Sequence, residues 1–330
     1  MDSEQLHTRR AERSHERRRR QARRRLGAGG ALALVVILAA IAVASSVGGK
    51  GSPARLPRPK VSSTSRARTH GHSSARAGST AASLGPATGH PGTAAVPILM
   101  YHVIAPPPAG APFPGLYVPP SEFAAQMAAL KAAGWHPITQ DQLLAYWHHG
   151  ARLPAGKPIV ITFDNGYRSQ FTAALPVLRR MGWVANENIQ LSGLPLSQGG
   201  LTDAQIRGMV RAGWELDTQG ISHADLIALD SAGLHYQVDT ARQIIRRRFG
   251  VPVNWFCYPS GHYNASVIAA VRAAGFVGST TVVPGWAGPA TDSYRLPRLR
   301  VLGGTSPGSL LTQIATYRSA GSPPSSYGGA

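Results

Sequence analysis

KPIVITFDNGYRS, residues 157–169, decides the fold. From Ile159 to Phe163 the run is apolar or β-branched without interruption, the pattern of a strand buried within a sheet, and it ends on a carboxylate, Asp164. The stretch that follows, SQFTAALPVLRRMG (169–182), has helical spacing, so a buried strand passes directly into a helix. Asp164 and Asn165 therefore sit at the mouth of that strand.

The same alternation repeats outward in both directions. Upstream, VPILMYH (96–102) reads as a buried strand and PSEFAAQMAALKAAG (120–134) as a helix, with Ser121 as N-cap and Phe123, Met127 and Leu130 on one face. Downstream come the strands WVANENIQ (183–190), WELDT (214–218), VNWFCYP (253–259) and FVGSTTV (276–282). Between them lie the helices TDAQIRGMVRAG (202–213), DTARQIIRRRFG (239–250) and NASVIAAVRAAG (264–275). Strand and helix alternate about seven times, which predicts an α/β domain with a mainly parallel sheet that closes into a distorted (β/α) barrel. No GxGxxG or GxxxxGK[ST] opens any helix, so nothing supports a dinucleotide or P-loop site.

In such barrels chemistry lies where strands end. Three places qualify: Asp164 and Asn165 with Tyr167; Asp217, Gln219 and His223 in WELDTQGISHADL; and Tyr258, Ser260 and His262 in WFCYPSGHYN. A carboxylate, histidines and several amides and hydroxyls converging at a barrel mouth point to hydrolytic or metal-assisted chemistry. Cys257 reads as a buried strand residue, since no base accompanies it. His148 and His149 read as a helix-terminal pair, and Arg246, Arg247 and Arg248 as an exposed helix end.

The net charge of +19 suggests a nucleic-acid binder only until it is divided along the chain. Residues 1–25 hold ten Arg and four acids, and residues 48–95 hold seven Lys+Arg and no acid. That leaves residues 96–330 with 17 basic and 11 acidic side chains, a net +6, and no nucleic-acid partner is expected. After the Arg-rich segment, residues 26–49 carry no charge, and as a helix they reach roughly 36 Å, enough to span a bilayer. The preceding arginines predict a single-pass signal-anchor with the N-terminus cytoplasmic and the domain extracytoplasmic. The alternative is secretion after cleavage at the small residues Ala42-Val43-Ala44. Residues 50–95, rich in Ser, Pro, Gly and Arg, predict a disordered linker, residues 96–318 the folded domain, and residues 319–330 a disordered tail. A single cysteine excludes an intrachain disulfide.

VPILMYHVI, PSEFAAQMAALKAAGW, TFDNGY, ELDTQGISHADL, FCYPSGHYN and YRLPRLRV together resemble, in order and spacing, a polysaccharide deacetylase domain of the NodB-homology, carbohydrate esterase family 4 type. The resemblance runs from about Val96 to about Val301. It implies a distorted barrel and metal-assisted removal of N- or O-acetyl groups from glycans such as poly-N-acetylglucosamine, chitooligosaccharide or peptidoglycan. Carried over by motif, it assigns Asp164 as general base and Asn165, Gln219 and His223 to the positions of the zinc ligands. It also implies substrate-binding roles for Tyr167, His102, Tyr258 and Ser260, and makes Arg298 a residue that orients a carboxylate.

The family pattern has a second aspartate where this chain has Asn165 and a histidine where it has Gln219. Asn and Gln offer only neutral carbonyl oxygens, whereas catalytic zinc takes imidazole and carboxylate ligands, so tight zinc binding is not expected. Asp217 and His262 are the candidate substitutes. No histidine follows His262, so the family's late general acid has no counterpart. Two functions follow: hydrolysis of glycan acetyl groups, or a degenerate deacetylase domain that binds glycan without turnover.

Overall fold

The computed structural model describes residues 89–192, 194 and 199–329. The Arg-rich segment, the expected anchor and most of the expected linker lie outside the described residues. Among the described residues no helix is long and apolar enough to cross a membrane.

The sheet is built from β1 (Val96–Tyr101), β2 (Trp135–Ile138), β3 (Lys157–Asn165), β4 (Asn186–Ile189), β5 (Glu215–Thr218), β6 (Trp255–Cys257) and β7 (Gly278–Thr280). Two short strands, β8 (Trp286–Ala287) and β9 (Leu299–Arg300), complete it. The order β7-β6-β5-β4-β3-β1 is parallel throughout, β2 joins the first half of β3, and β8 lies antiparallel on β1. β9 pairs with β1 in parallel through Leu99 and Leu299, while Leu296, just before it, bridges Thr280 of β7. The expected barrel is thus corrected to a curled parallel half-barrel. Among the described residues its far edges are joined by the short segment Leu296–Arg300, which is too brief to form full ladders on both sides.

Period-2 alternation sorts side chains to the two faces. Ile159, Ile161 and Phe163 of β3, with Leu99 and Tyr101 of β1, face the helices, where the Phe163 ring stacks 5.0 Å from Trp214. Residues of opposite parity face inward. Val96, Ile98, Val160, Trp255 and Leu296 fill the lower interior as an apolar plug. Above it the interior turns polar: Thr162, Asp164, Asn186, Asn188 and Asp217 are all buried. The register aligns Asp164 with Asn188 and Asn188 with Asp217 across three adjacent strands. A water-excluded polar layer directly beneath the strand ends is the platform of the site.

Helices cover the outer face. In α1 (Pro120–Ala132), Phe123, Met127 and Leu130 are buried, but the N-cap position is Pro119, with no side-chain cap, and Pro120 occupies the first turn. Ser121 lies inside the helix and is not the expected cap; the preset φ of proline starts the helix instead. A capping box of Thr139 and Gln142 opens α2 (Gln140–His149). Gly150 ends it at φ 62°, where an added Cβ would stand 2.5 Å from the His90 carbonyl oxygen. Between β3 and α3 (Leu175–Arg180) the chain makes a π turn, Gln170–Ala174. Buried Gln170 uses it to donate to the carbonyl oxygens of Asp164 (2.7 Å) and His102 (2.9 Å), tying β3 to the end of β1. The remaining helices are α4 (Asp203–Arg211), α5 (Ser231–His235), α6 (Ala241–Phe249), α7 (Ala265–Ala273) and α8 (Pro307–Thr316).

The tail expected to be disordered is docked. Tyr327 and Tyr263 exchange two backbone hydrogen bonds of 2.8 Å. The Tyr263 hydroxyl donates to the Pro324 carbonyl oxygen at 2.7 Å, and Arg295 reaches the same oxygen at 3.1 Å. A small, polar composition hid two features: an aromatic that can form a strand-like bridge and prolines that leave their carbonyls free for capture.

Candidate active-site cleft

The strand ends open into a cleft of about 530 Å³, lined by His102, Tyr117, Asp164, Asn165, Tyr167, Gln219, His223, Tyr258, Ser260 and Arg298 among others. Asp164 is its floor. Arg298 grips the carboxylate with both terminal nitrogens, Nη1 to Oδ1 at 2.8 Å and Nη2 to Oδ2 at 2.9 Å, and both residues are 1% exposed. Asn188 Nδ2 adds a third bond to Oδ1 at 2.9 Å, and the Cys257 thiol approaches Oδ2 at 3.6 Å. Arg298 is held in turn by the Thr281 carbonyl (2.8 Å), Thr162 Oγ1 (3.0 Å) and Cys257 Sγ (3.1 Å). A bidentate pair with its remaining donors satisfied is the geometry in which a buried ion pair can persist.

Burial by itself would raise the Asp164 carboxyl, but the charge and hydrogen bonds of Arg298 outweigh it and hold the group at about 2. A carboxylate so stabilised is a weak proton acceptor. His102 stands 3.9 Å from Asp164 Oδ2, beyond hydrogen-bond reach, and its Nδ1 is buried without a partner. Burial lowers its imidazole to about 4 against the pull of Asp164, with Arg298 and Arg300 adding to the shift, so the ring is neutral at pH 7. Burial likewise pushes the Cys257 thiol up to about 12, which makes it a packing residue and excludes a ready nucleophile. The Tyr167 phenol is raised to about 12, again mainly by burial.

The backbone at the rim is unusual. Among the described residues four non-glycine residues have positive φ, and three of them, Asn165 (79°), His223 (55°) and Ser260 (55°), line the cleft. Asn is among the side chains that tolerate this conformation best. Asn165 and Gly166 (φ 89°) turn the chain sharply off the end of β3. Asn165 Nδ2 donates to Gln190 Oε1 at 2.8 Å, and Gln190 is itself fixed by the Ser192 carbonyl at 2.7 Å. Gln219, 2% exposed, donates from Nε2 to Cys257 Sγ at 3.0 Å, and its Oε1 has no partner. Tyr258 directs its hydroxyl to the Tyr294 carbonyl (2.9 Å), so it presents a ring to the cleft rather than a donor.

Asp217 and His262 do not come to the cleft. Asp217 shares the rung of Asp164 but is fully buried, and its oxygens accept from the Trp255 amide (2.9 Å) and Asn186 Nδ2 (3.2 Å). His262 Nδ1 instead meets Asp225 Oδ1 at 3.0 Å, outside the cleft lining. What the sequence reading missed is the amide row of β4. Asn186, Asn188 and Gln190, two residues apart on one face, support Asp217, Asp164 and Asn165 respectively. Three amides at period 2 within NENIQ were the available signal.

The donor set does not fit a catalytic zinc. Among the described residues no three His, Cys, Asp or Glu side chains are grouped to hold a metal ion. At the positions that the sequence resemblance gives to metal ligands stand two neutral amides and the His223 imidazole, and the nearby carboxylate is committed to Arg298 on both oxygens. What the arrangement can do is present oriented polar groups to a ligand in a partly apolar cleft.

Residues 152–279 match the family model described as polysaccharide deacetylase. The chain is 29% identical over 214 residues to "Putative polysaccharide deacetylase YxkH" of Bacillus subtilis (strain 168), spanning 64% of this chain and 74% of that protein. A 60-residue stretch is 37% identical to poly-beta-1,6-N-acetyl-D-glucosamine N-deacetylase of Escherichia coli (strain K12), 18% of this chain and 9% of that one. The structure of the Streptococcus pyogenes deacetylase PplD in complex with acetate superposes with a TM-score of 0.61 at 25% identity, covering 67% of this chain and 99% of that chain.

Two outcomes follow from the geometry. Arg298→Leu leaves the Asp164 charge buried and unpaired and is expected to lower stability by about 3–5 kcal/mol, while adding Asp164→Leu recovers part of the loss in urea denaturation. His102 has a folded value near 4 against 6.5 unfolded. The unfolded chain therefore binds the extra proton between these values, and stability falls as pH drops from about 6.5 to about 4. His102→Gln should remove that part of the slope in denaturation curves across this range.

Proposed function

Since this chain carries a polysaccharide deacetylase domain of the NodB type, we propose that its cleft binds an acetylated glycan of the cell envelope or extracellular matrix without zinc-dependent turnover. The family relationship supports the ligand class, and the E. coli relative's name supports poly-N-acetylglucosamine beside chitooligosaccharide and peptidoglycan as candidates. One observation carries the claim about turnover: two of the three positions the resemblance gives to metal ligands are amides whose NH₂ ends are tied to protein acceptors, and the carboxylate beside them is paired with Arg298 on both oxygens. No water is acidified by such a set.

A second reading, hydrolysis of the acetyl group, is favoured by the placement of Asp164 within the cleft next to a neutral His102. In it Asp164 takes a proton from the attacking water, the hydroxide adds to the acetyl carbon, and the C–N bond breaks as that proton passes to the nitrogen, leaving acetate and the sugar amine. Metal analysis and acetate release from N-acetylglucosamine oligomers separate the two. The expected result is binding with neither stoichiometric zinc nor acetate release, and gain of both when Asn165→Asp is combined with Gln219→His. Zinc-dependent acetate release by the unaltered chain, lost on Asp164→Asn, would overturn the first reading.

The proposal extends to topology: residues 26–49 anchor the chain in the membrane, and the domain lies on the far side from the Arg-rich N-terminus. The sole native cysteine, Cys257, is buried, so added cysteines report cleanly. In intact cells Ser62→Cys should react with a membrane-impermeant maleimide and Ser3→Cys should not; equal labelling of the two would refute the orientation.

A further inference from the structure

At the end of the sheet opposite the cleft lies an open groove of about 780 Å³. β3 connects the two: Lys157 at its start lines the groove and Asn165 at its end lines the cleft, so at about 3.3 Å per residue they stand roughly 26 Å apart. Ala95, the residue before β1, is also part of the groove, so the chain enters the domain at this end. Four of the six tryptophans, Trp147, Trp183, Trp214 and Trp255, are buried, whereas Trp135 and Trp286 are half-buried and stand together in the groove. Their ring centroids are 5.8 Å apart at 68°. The Trp286 indole N–H is spent on the Ile314 carbonyl at 2.9 Å, so this residue offers its ring as surface.

Two exposed cations frame the rings. Lys157 Nζ lies 5.5 Å from the centre of the Trp135 ring, and the Arg318 guanidinium 5.3 Å from that of Trp286. Among the described residues that line the groove these are the charged ones, and no carboxylate offsets them. Leu311 and Pro158 extend the apolar floor. Indole rings beside Lys and Arg, with stems over the rings and charged heads in water, form the layout of a membrane-interface contact. Charge disfavours two other occupants. Residues 48–95 carry seven Lys+Arg and no acid, and a second copy apposed through this face would set Lys157 and Arg318 against their own equivalents.

We infer that this groove docks the domain on an anionic bilayer, with lipid phosphates at Lys157 and Arg318 and acyl carbons against the two indoles. The inference rests on the membrane-anchored topology proposed above and adds to it the orientation of the domain: the cleft opens away from the lipid. Tethering through residues 26–49 keeps the lipid at high local concentration, so a surface of two cations and two rings is sufficient.

The test is the tryptophan emission of the full chain reconstituted in vesicles of phosphatidylcholine brominated near the top of its acyl chains, with and without phosphatidylglycerol. The other four tryptophans are shielded in the core, so quenching reports on Trp135 and Trp286. Quenching is expected to be at least about twofold stronger with phosphatidylglycerol, and to lose that excess at about 1 M salt, where charges are screened within about 3 Å. Lys157→Glu combined with Arg318→Glu should abolish the difference while the chain still floats with both kinds of vesicle. Equal quenching in the two vesicles, or a difference that survives the double charge reversal, overturns the inference and leaves the anchor intact. Failure to float with pure phosphatidylcholine vesicles removes the anchor; the inference then stands if the unaltered chain floats with phosphatidylglycerol and the charge-reversed chain does not, and falls otherwise. Emission that responds instead to N-acetylglucosamine oligomers assigns the groove to a glycan and likewise overturns it.

Discussion

The bidentate contact of Arg298 with Asp164 is the constraint on which the rest of the domain depends. It joins the end of β3 to a residue 134 positions later in the chain. Through the Thr281 carbonyl and Cys257 Sγ the same guanidinium reaches the ends of β7 and β6. The half-barrel's edges meet through short backbone contacts, such as Leu296 with Ser279 and Thr281, Arg298 with Val283, and Val301 with Met100, rather than through long ladders. The ion pair draws those edges together from inside. Because the pair lies within a layer of buried polar groups and above an apolar plug, it is shielded from water and salt, which keeps it strong.

The same pair limits chemistry. A carboxylate that accepts three hydrogen bonds is held in place and also held in its charged form. Its orientation is therefore excellent and its basicity poor. Catalytic sites that use such a carboxylate compensate by acidifying the water it must deprotonate. Gln190 and Cys257 accept the NH₂ groups of Asn165 and Gln219, which fixes both amides at the rim.

Much of this was legible in the chain. The run ending at Asp164 and several of the polar residues after the strands fall on the cleft lining, and Arg298, to which the resemblance gave an orienting role, lies against Asp164. Sequence reasoning placed Asp217 and His262 by proximity in the chain, and there it went astray. Near a strand end, the direction of a side chain is set by whichever backbone donor captures it, and Trp255 captures Asp217. Helix initiation at Pro120 in place of Ser121 rests on the preset φ of proline, whereas the docking of Tyr327 on Tyr263 depends on a backbone partner that composition does not encode. The support given by Asn188 and Gln170 was hidden for a related reason: each acts on a neighbour whose position emerges only when strands are in register.

Three rim residues, Asn165, His223 and Ser260, are already fixed in a backbone conformation that most side chains avoid. Such residues have few alternative states when the cleft is empty, so there is little freedom for a ligand to take away. The rim behaves as a rigid mould: it favours one shape of guest at small entropic expense, and it has little capacity to adapt to another.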